Sequence, residues 1–230
     1  MKNIFSLLAN LIYRKKCYVC SKSYENKKLC SNCYQKVDFL PEKTRVILGK
    51  NVYCATYYQD VLQKIIRGIK YHKQKELAYY LAKLMYEYWV RLQIKGDYMI
   101  IPVPLSKERQ KKRRYNQVEL VAQEFSKLTG YKINTNLVER VKDTKPQYNL
   151  NRAQRIKNLA NAFRVNKSLY NGEKLLIIDD ICTTGATFET LIKEFQKNKI
   201  EDVTCFATAT VEFWWYWQKF QNIYKSMKMR

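Results

Sequence analysis

The stretch Leu175 to Ile178 is the part of the sequence that most constrains the fold. Four consecutive apolar residues are followed by two aspartates, a short turn rich in threonine, and a helical pattern over 187–197. An apolar run of this length, bounded by turn signals, is typical of a strand buried on both faces, and such strands belong mainly to parallel sheets covered by helices. We therefore predict a strand over 174–178 within an α/β fold.

The rest of the chain alternates strand and helix patterns in the same way. Further strands are predicted over 51–58, 98–103 and 203–208, and further helices over 61–71, 75–93 and 117–128. The polar stretch 141–158 is predicted to be a mobile excursion. Strands that alternate with helices of this length indicate a mostly parallel sheet with helices on both faces.

The charge balance is strongly basic. Lys and Arg number 43 against 20 acidic residues, which gives a formal net charge of +23. Such a field attracts polyanions, whether nucleic acid, phosphorylated metabolites or an anionic membrane surface. AT-rich codon usage in a basic proteome would produce the same excess without any function, so the charge does not choose among these. No apolar run approaches the ~20 residues of a membrane helix, and we expect a cytoplasmic protein.

Four of the seven cysteines form two closely spaced pairs. Each pair has two intervening residues, which lets it hold one edge of a tetrahedral metal ion. The four candidate metal ligands are Cys17, Cys20, Cys30 and Cys33. Four sulfur ligands leave no open position on zinc, so we expect a structural zinc that does no chemistry. The alternative is a set of unrelated buried thiols.

The turn after the apolar run carries groups that can hold a sugar phosphate. Backbone N–H groups at the start of a helix, with threonine hydroxyls beside them, can receive a phosphate dianion, and a glycine lets the backbone approach it closely. The paired aspartates can accept hydrogen bonds from the vicinal hydroxyls of a ribose. An ordinary capped turn is the alternative. The candidate ribose- and phosphate-binding residues are Asp179, Asp180, Thr183, Thr184, Gly185, Ala186 and Thr187.

The basic segment 107–114, followed by a tyrosine, is a second candidate site. A flexible cationic loop with an aromatic residue could contact the phosphates and bases of single-stranded DNA, or it could close over a pyrophosphate. Both uses stay open, and one loop could serve both in turn. The candidate DNA contacts are Lys111, Lys112, Arg113, Arg114 and Tyr115.

Three other features carry further expectations. The helix that carries basic side chains is interpreted as presenting a solvated face; these side chains are Lys64, Arg67, Lys70, His72, Lys73 and Lys75. Arg152, Arg155 and Lys157 lie in the predicted mobile excursion and are expected to close over a ligand. The aromatic tail 211–230 could stack on bases, lie at a bilayer interface, or pack on the domain as a final helix.

Residues 175–187 resemble the thirteen-residue binding motif of type I phosphoribosyltransferases: four apolar residues, two acidic residues, then Thr-Thr-Gly-x-Thr. Over roughly residues 5–210 the chain resembles the ComF family, cytoplasmic proteins of bacterial DNA uptake. The four-cysteine module and the stretches 101–106 and 114–117 recur in that family's pattern. The chain departs from it at 113–115, where Arg-Arg-Tyr stands in place of the usual Arg-Gly-Phe.

The resemblance implies a type I phosphoribosyltransferase-like fold with a small N-terminal zinc finger. The implied division is 1–40 for an N-terminal helix and zinc finger, 41–210 for the phosphoribosyltransferase-like domain and 211–230 for a basic aromatic tail. It also implies that the paired aspartates bind the ribose hydroxyls of phosphoribosyl pyrophosphate, with Mg²⁺ bridging ligand oxygens. The implied pyrophosphate-loop residues are Pro104, Ser106, Lys107 and Arg109.

The expected function is accordingly that of a DNA-uptake protein that binds phosphoribosyl pyrophosphate and single-stranded DNA, with other DNA-uptake proteins as further partners. No acceptor for the phosphoribosyl group is indicated by the sequence. The alternative is a salvage or amidophosphoribosyltransferase-like enzyme with no DNA role. A pure zinc-knuckle DNA-binding protein is a weaker hypothesis, because both acids and all three threonines of the loop are intact.

Overall fold

A computed structural model describes residues 15–23, 25–41, 45–142 and 152–211. Its helices are α1 (Ser31–Gln35), α2 (Asp60–Tyr71), α3 (Ala78–Arg91), α4 (Lys107–Arg113), α5 (Gln117–Thr129), α6 (Arg152–Leu159) and α7 (Ala186–Lys197). Its strands are β1 (Arg45–Ile47), β2 (Lys50–Tyr57), β3 (Tyr98–Pro102), β4 (Val138–Arg140), β5 (Phe163–Val165), β6 (Lys174–Cys182) and β7 (Val203–Thr210).

Five strands form the central sheet, in the order β1-β2-β7-β6-β3. Strands β2, β7, β6 and β3 are parallel, and β1 pairs antiparallel with β2 at one edge. Strands β4 and β5 pair antiparallel in a separate two-stranded sheet. All eight residues of β7 are buried, so both faces of this strand are covered. The prediction of a mostly parallel α/β fold is therefore confirmed.

Apolar residues that recur along one side of α3 form the centre of the core between the helices and the sheet. Leu81, Leu84, Met85 and Tyr88 recur at helical spacing, and each is at most 1% exposed. Beside them the Trp89 ring lies 5.4 Å, centroid to centroid, from Phe206 of β7. Buried aromatic pairs at this distance add directional contacts to the area that they bury.

Strand β6 is longer than its predicted span of 174–178. Its pairing with β7 continues through Asp179, opposite Ala207, to Cys182, opposite Thr210. The prediction ended the strand where the apolar run stops and the two aspartates and the turn begin. The long neighbouring strand β7 offers backbone partners beyond that point, and these outweigh the local preference for a turn.

The segment 107–114 is a helix, so the prediction of a flexible loop there was wrong. Ser106 caps α4 by accepting a hydrogen bond from the backbone N–H of Arg109 at 3.4 Å. One turn later, Lys112 pairs with Glu108 at 2.7 Å. Arg114 ends the helix in the left-handed conformation, with φ of +64°. A serine cap, together with an ion pair between residues four positions apart, is enough to favour a short helix.

The predicted excursion 141–158 is also partly helical, since α6 occupies Arg152–Leu159. Leu159 is fully buried, and α6 packs against α7. One apolar anchor and a neighbouring helix therefore order a stretch whose composition is polar. Residues 143–151 lie outside the described ranges, as do the N-terminal helix predicted before residue 15 and the tail beyond residue 211.

The cysteine segment packs against the main sheet. The backbone N–H of Leu40 donates to the carbonyl of Ala55 in β2 at 2.8 Å, and Cys17, Cys30 and Cys33 belong to the same buried core as the sheet. The boundaries predicted at residues 40 and 210 stay predictions. Among the described helices, none is both long and apolar enough to span a bilayer.

Candidate functional site

A cavity of about 270 Å³ opens where β3 and β6 end and α7 begins. It is lined by Val103, Pro104 and Leu105 after β3, and by residues 179–188 of β6, the following turn and α7. All seven residues predicted to bind ribose and phosphate therefore face one space. In open α/β sheets ligands collect at the carboxyl ends of the strands, which is where this cavity lies.

The turn between β6 and α7 has the geometry of an anion cradle. Gly185 adopts φ of +79° at the cap position of α7, a conformation that side chains disfavour. The hydroxyl of Thr184 accepts from the backbone N–H of Ala186 at 3.4 Å. Arg155 of α6 reaches over the turn and donates to the Thr183 hydroxyl at 2.5 Å. A helix N-terminus and a guanidinium therefore converge on the same turn, and both favour a bound anion.

Asp180 is held as a charged group. It is 6% exposed, and its Oδ2 accepts from the Lys70 ammonium at 2.7 Å and from the Gln117 amide at 3.0 Å. Burial alone would raise the pKa of this carboxyl, but Lys70 and Gln117 outweigh burial, so the net pKa lies below its ordinary value. Asp180 is therefore ionised at neutral pH.

Asp179 has the opposite character. Burial, and after it the charge of Asp180, raises the pKa of the Asp179 carboxyl from 3.8 to about 7. The backbone N–H of Asp180 donates to its Oδ1 at 2.8 Å, which only partly offsets the shift. Two adjacent carboxylates thus differ in charge state near neutral pH. An arriving cation or a hydroxyl donor would favour release of the proton from Asp179.

Cationic side chains outnumber the carboxylates around the cavity, five against two. The five are Lys70, Arg109, Arg113, Arg140 and Arg155. Low-dielectric walls lined by one sign of charge focus the field, so the cavity suits a ligand with several negative charges.

Three of the polar residues that line the cavity were given no role at the site by the sequence reasoning: Lys70, Gln117 and Arg140. The interpretation of Lys70 as part of a solvated face was wrong, because its side chain is only 15% exposed. It lies four residues after the buried Ile66, at the edge of the apolar stripe of α2, and this position was the one available signal. Its partner Asp180 is distant in sequence, and no local pattern could have identified it.

The four predicted pyrophosphate-loop residues take three different positions. Pro104 and Arg109 line the cavity. Ser106 is buried and caps α4, so its hydroxyl already accepts a backbone hydrogen bond. Lys107 is exposed on the first turn of the helix.

The five predicted DNA contacts also take different positions, some exposed and some turned toward the protein. Lys111, Lys112 and Arg114 are exposed, whereas Arg113 lines the cavity and donates to the Gln117 side chain at 2.6 Å. The Tyr115 hydroxyl donates to the backbone carbonyl of Ile69, and Lys75 lies 4.6 Å above the centre of the tyrosine ring. The ring of Tyr115 is therefore engaged by the protein itself.

The four paired cysteines form a cluster whose geometry suits a metal ion. Their Sγ atoms lie within 4.8 Å of one another, and those of Cys20 and Cys30 are 3.8 Å apart. Tetrahedral zinc with bonds of about 2.3 Å requires sulfur atoms ~3.8 Å apart. Backbone N–H groups in the cluster outweigh burial and lower the pKa of the Cys17 thiol to about 6, which favours a thiolate there. Burial instead raises the pKa of the Cys30 and Cys33 thiols, so a bound cation would have to displace their protons. The cluster could hold a metal such as zinc.

The cysteine module rests on the helix that carries Lys70. Tyr18, between the first two cysteines, lies 2.5 Å, from its hydroxyl to Nδ1, from His72 at the end of α2. A Cβ atom at Gly68 would lie 2.7 Å from the Tyr18 ring, so the contact depends on a glycine there. The module therefore contacts α2 at Gly68, two positions before Lys70 in the sequence.

Known proteins resemble the chain to different degrees, and no protein-family model matches it. It is 28% identical over 204 residues to Competence protein F of Haemophilus influenzae, covering 84% of this chain and 89% of the relative. It is 26% identical over 189 residues to DNA utilization protein YhgH of Salmonella typhimurium, covering 80% and 75%. Competence protein ComFC of Bacillus subtilis is 21% identical over 193 residues, covering 83% and 76%. A solved structure of Leishmania donovani UMP synthase aligns with a TM-score of 0.32 and 13% identity, over 76% of this chain and 34% of that chain.

Proposed function

The chain belongs to the ComF family, and on that premise we propose that it acts in DNA uptake and that its cavity binds phosphoribosyl pyrophosphate with Mg²⁺. The observation that carries the ligand is the pairing of two carboxylates with an anion cradle in one cavity that has a surplus of cations. Two carboxylates alone would suit a metal or a sugar. The anion cradle and the arginines of α4 lie at different places in the cavity, so together they suit a ligand that carries phosphate groups at more than one position.

Each part of the ligand has residues of matching chemistry. The aspartates accept hydrogen bonds from the ribose hydroxyls, and the turn 183–187 with Arg155 receives the 5′-phosphate. The pyrophosphate lies toward Pro104 and Arg109. Mg²⁺, which prefers carboxylate and phosphate oxygens, neutralises the pyrophosphate when it is bound. The same cations would stabilise pyrophosphate as a leaving group if an acceptor attacks the ribose.

Two further ligands complete the proposal. Zinc is held by the four-cysteine cluster, where its role is structural because all four positions are sulfur. Single-stranded DNA binds the basic surface next to the cavity, to which the exposed Lys111, Lys112 and Arg114 contribute. The protein works in the cytoplasm beside other DNA-uptake proteins.

Calorimetry with phosphoribosyl pyrophosphate and Mg²⁺ tests the cavity. We expect the double variant Asp179→Asn plus Asp180→Asn to bind at least about 100-fold more weakly, because both hydroxyl acceptors lose their charge. The matched control is Asp97→Asn plus Asp202→Asn, which removes two exposed carboxylates just before β3 and β7, at the opposite end of the sheet. Equal affinity of the site variant and the control would reject the site.

DNA binding on the same sample separates the proposal from its alternative. A fluorescent single-stranded oligonucleotide should bind with an affinity that falls steeply with salt. Ligand binding without any DNA binding would favour a salvage or amidophosphoribosyltransferase-like enzyme, and DNA binding without the ligand would leave only a DNA-binding module.

A further inference from the structure

The exposed side of α2 presents two cations and a tyrosine beside the cavity. Lys64, Arg67 and Tyr71 are separated by three and four positions, so they lie on one side of the helix, opposite its buried apolar residues. The Tyr71 side chain is 58% exposed, which is unusual for so large a ring. We call Lys64, Arg67 and Tyr71 the α2 face.

Arg113 joins the α2 face to the cavity. Its guanidinium lies 5.4 Å from the centre of the Tyr71 ring and also donates to Gln117 at 2.6 Å. Gln117 in turn donates to Asp180 at 3.0 Å. A ligand on Tyr71 and a ligand on Asp180 would therefore be linked through two side chains.

Tyr58 gives a second sign that the face and the cavity adjoin. Burial raises the pKa of the Tyr58 hydroxyl. Two charged groups of the cavity act on this pKa: Lys70 lowers it and Asp180 raises it. Two groups of the α2 face act on it as well: Tyr71 raises it and Arg67 lowers it. One phenol thus lies within the electrostatic reach of both groups.

We propose that the α2 face binds a single strand of DNA, with Tyr71 as the platform on which a base stacks and Lys64 and Arg67 as phosphate contacts. The inference rests on the proposed DNA role and specifies its surface. Lys64 and Tyr71 are about 10 Å apart along the helix, a length that about three stacked nucleotides span. Base stacking needs an unpaired base and an accessible ring, and a row of cations beside the ring holds the strand's phosphates.

Tyr71 takes the role for which the sequence suggested Tyr115. The Tyr115 ring is partly buried, it lies beneath Lys75, and its hydroxyl is bound to the backbone of α2. Tyr71 has one side against Arg113 and is otherwise largely open. A strand on this face would end next to the cavity, because Arg113 contributes to both.

Fluorescence anisotropy with a labelled single strand of about 20 nucleotides tests the face. We expect Tyr71→Ala to weaken binding about ten-fold with an unchanged salt slope, because stacking releases no counterions. Tyr71→Trp should retain wild-type affinity. Lys64→Gln plus Arg67→Gln should lower the slope of log affinity against log salt by about 1.4, which corresponds to two phosphates.

Two controls separate stacking from general effects. Tyr79→Ala removes another exposed tyrosine, 43% exposed on α3, and should leave affinity unchanged. A duplex of the same sequence, whose bases are paired, should bind Tyr71→Ala and the wild type equally. The inference is overturned if Tyr71→Ala binds the single strand like the wild type, or if it weakens duplex binding to the same extent. If the wild type binds no single strand at all, the DNA part of the proposed function fails with it, whereas ligand binding in the cavity is unaffected.

Discussion

Replacing Asp179 with asparagine should stabilise the ligand-free protein at alkaline pH. The substitution keeps the size of the side chain and removes a charge that is disfavoured by burial and by Asp180. The pKa rises from 3.8 to about 7 on folding. Three units correspond to about 4 kcal/mol at 1.4 kcal/mol per unit, and this is an upper value because Asp179 is only partly buried beside the cavity. We expect a gain of about 2 kcal/mol at about pH 8.

The sign of the pH dependence follows from the direction of the shift. The folded protein holds the Asp179 proton more tightly than the unfolded chain does. The contribution of the protonated Asp179 carboxyl to the free energy of unfolding is therefore complete at acid pH, and it is lost as the pH rises from about 4 to about 7. Asparagine cannot lose a proton, so the advantage of the variant should grow across this window. The measurement is urea unfolding, followed by tryptophan fluorescence, at about pH 5 and about pH 8.

Asp180→Asn is the matched control, since it makes the same chemical change at the adjacent residue. Here the charge is favourable, and its loss leaves the Lys70 ammonium without its carboxylate partner. We expect a loss of about 3 kcal/mol. The reasoning is refuted if Asp179→Asn is no more stable than the wild type at about pH 8, or if the difference between them does not change with pH.

Three further substitutions test local features. Arg114→Gly should raise the free energy of unfolding by about 1 kcal/mol, because glycine adopts φ of +64° without strain, whereas Arg114→Ala should give no such gain. Gly68→Ala should lower the free energy of unfolding by about 1–3 kcal/mol, because the added methyl group displaces Tyr18. Adding Tyr18→Ala should recover part of this loss, and thermal melts of the single and double variants measure both effects. Cys20→Ser should reduce bound zinc, measured by elemental analysis, whereas Cys205→Ala, outside the cluster, should retain it.

Features encoded within one element could be predicted from the sequence. The apolar run at Leu175–Ile178, the stripe of α3 and the spacing of the cysteines each depend on neighbours a few residues away. The serine cap at Ser106 belonged to the same class, since a serine before a charged run is a local signal for a helix start. It was overlooked because the basic composition suggested a loop.

Features that depend on distant partners could not be predicted. Gln117 and Asp180 are 63 positions apart, and Lys70 reaches the same carboxylate from another helix. The end of β6 was misplaced for the same reason, because its last residues are ordered by pairing with β7. The sequence indicated which residues carry the chemistry of the site, whereas the charge state of each aspartate depends on residues that only the fold brings near.

The extension of β6 through both aspartates makes the bottom of the cavity stiff and its sides adaptable. Asp179 and Asp180 belong to a strand that is paired with β7 on both sides of them, so their carboxylates lose little conformational entropy when a ligand is bound. Arg109, Arg113 and Arg155 reach the cavity from α4 and α6 on long side chains, whose several rotatable bonds allow more conformations than a paired strand does. The arginines should therefore adjust to ligands whose phosphate groups differ in position. Ligands whose hydroxyl groups do not match the two fixed carboxylates should bind more weakly.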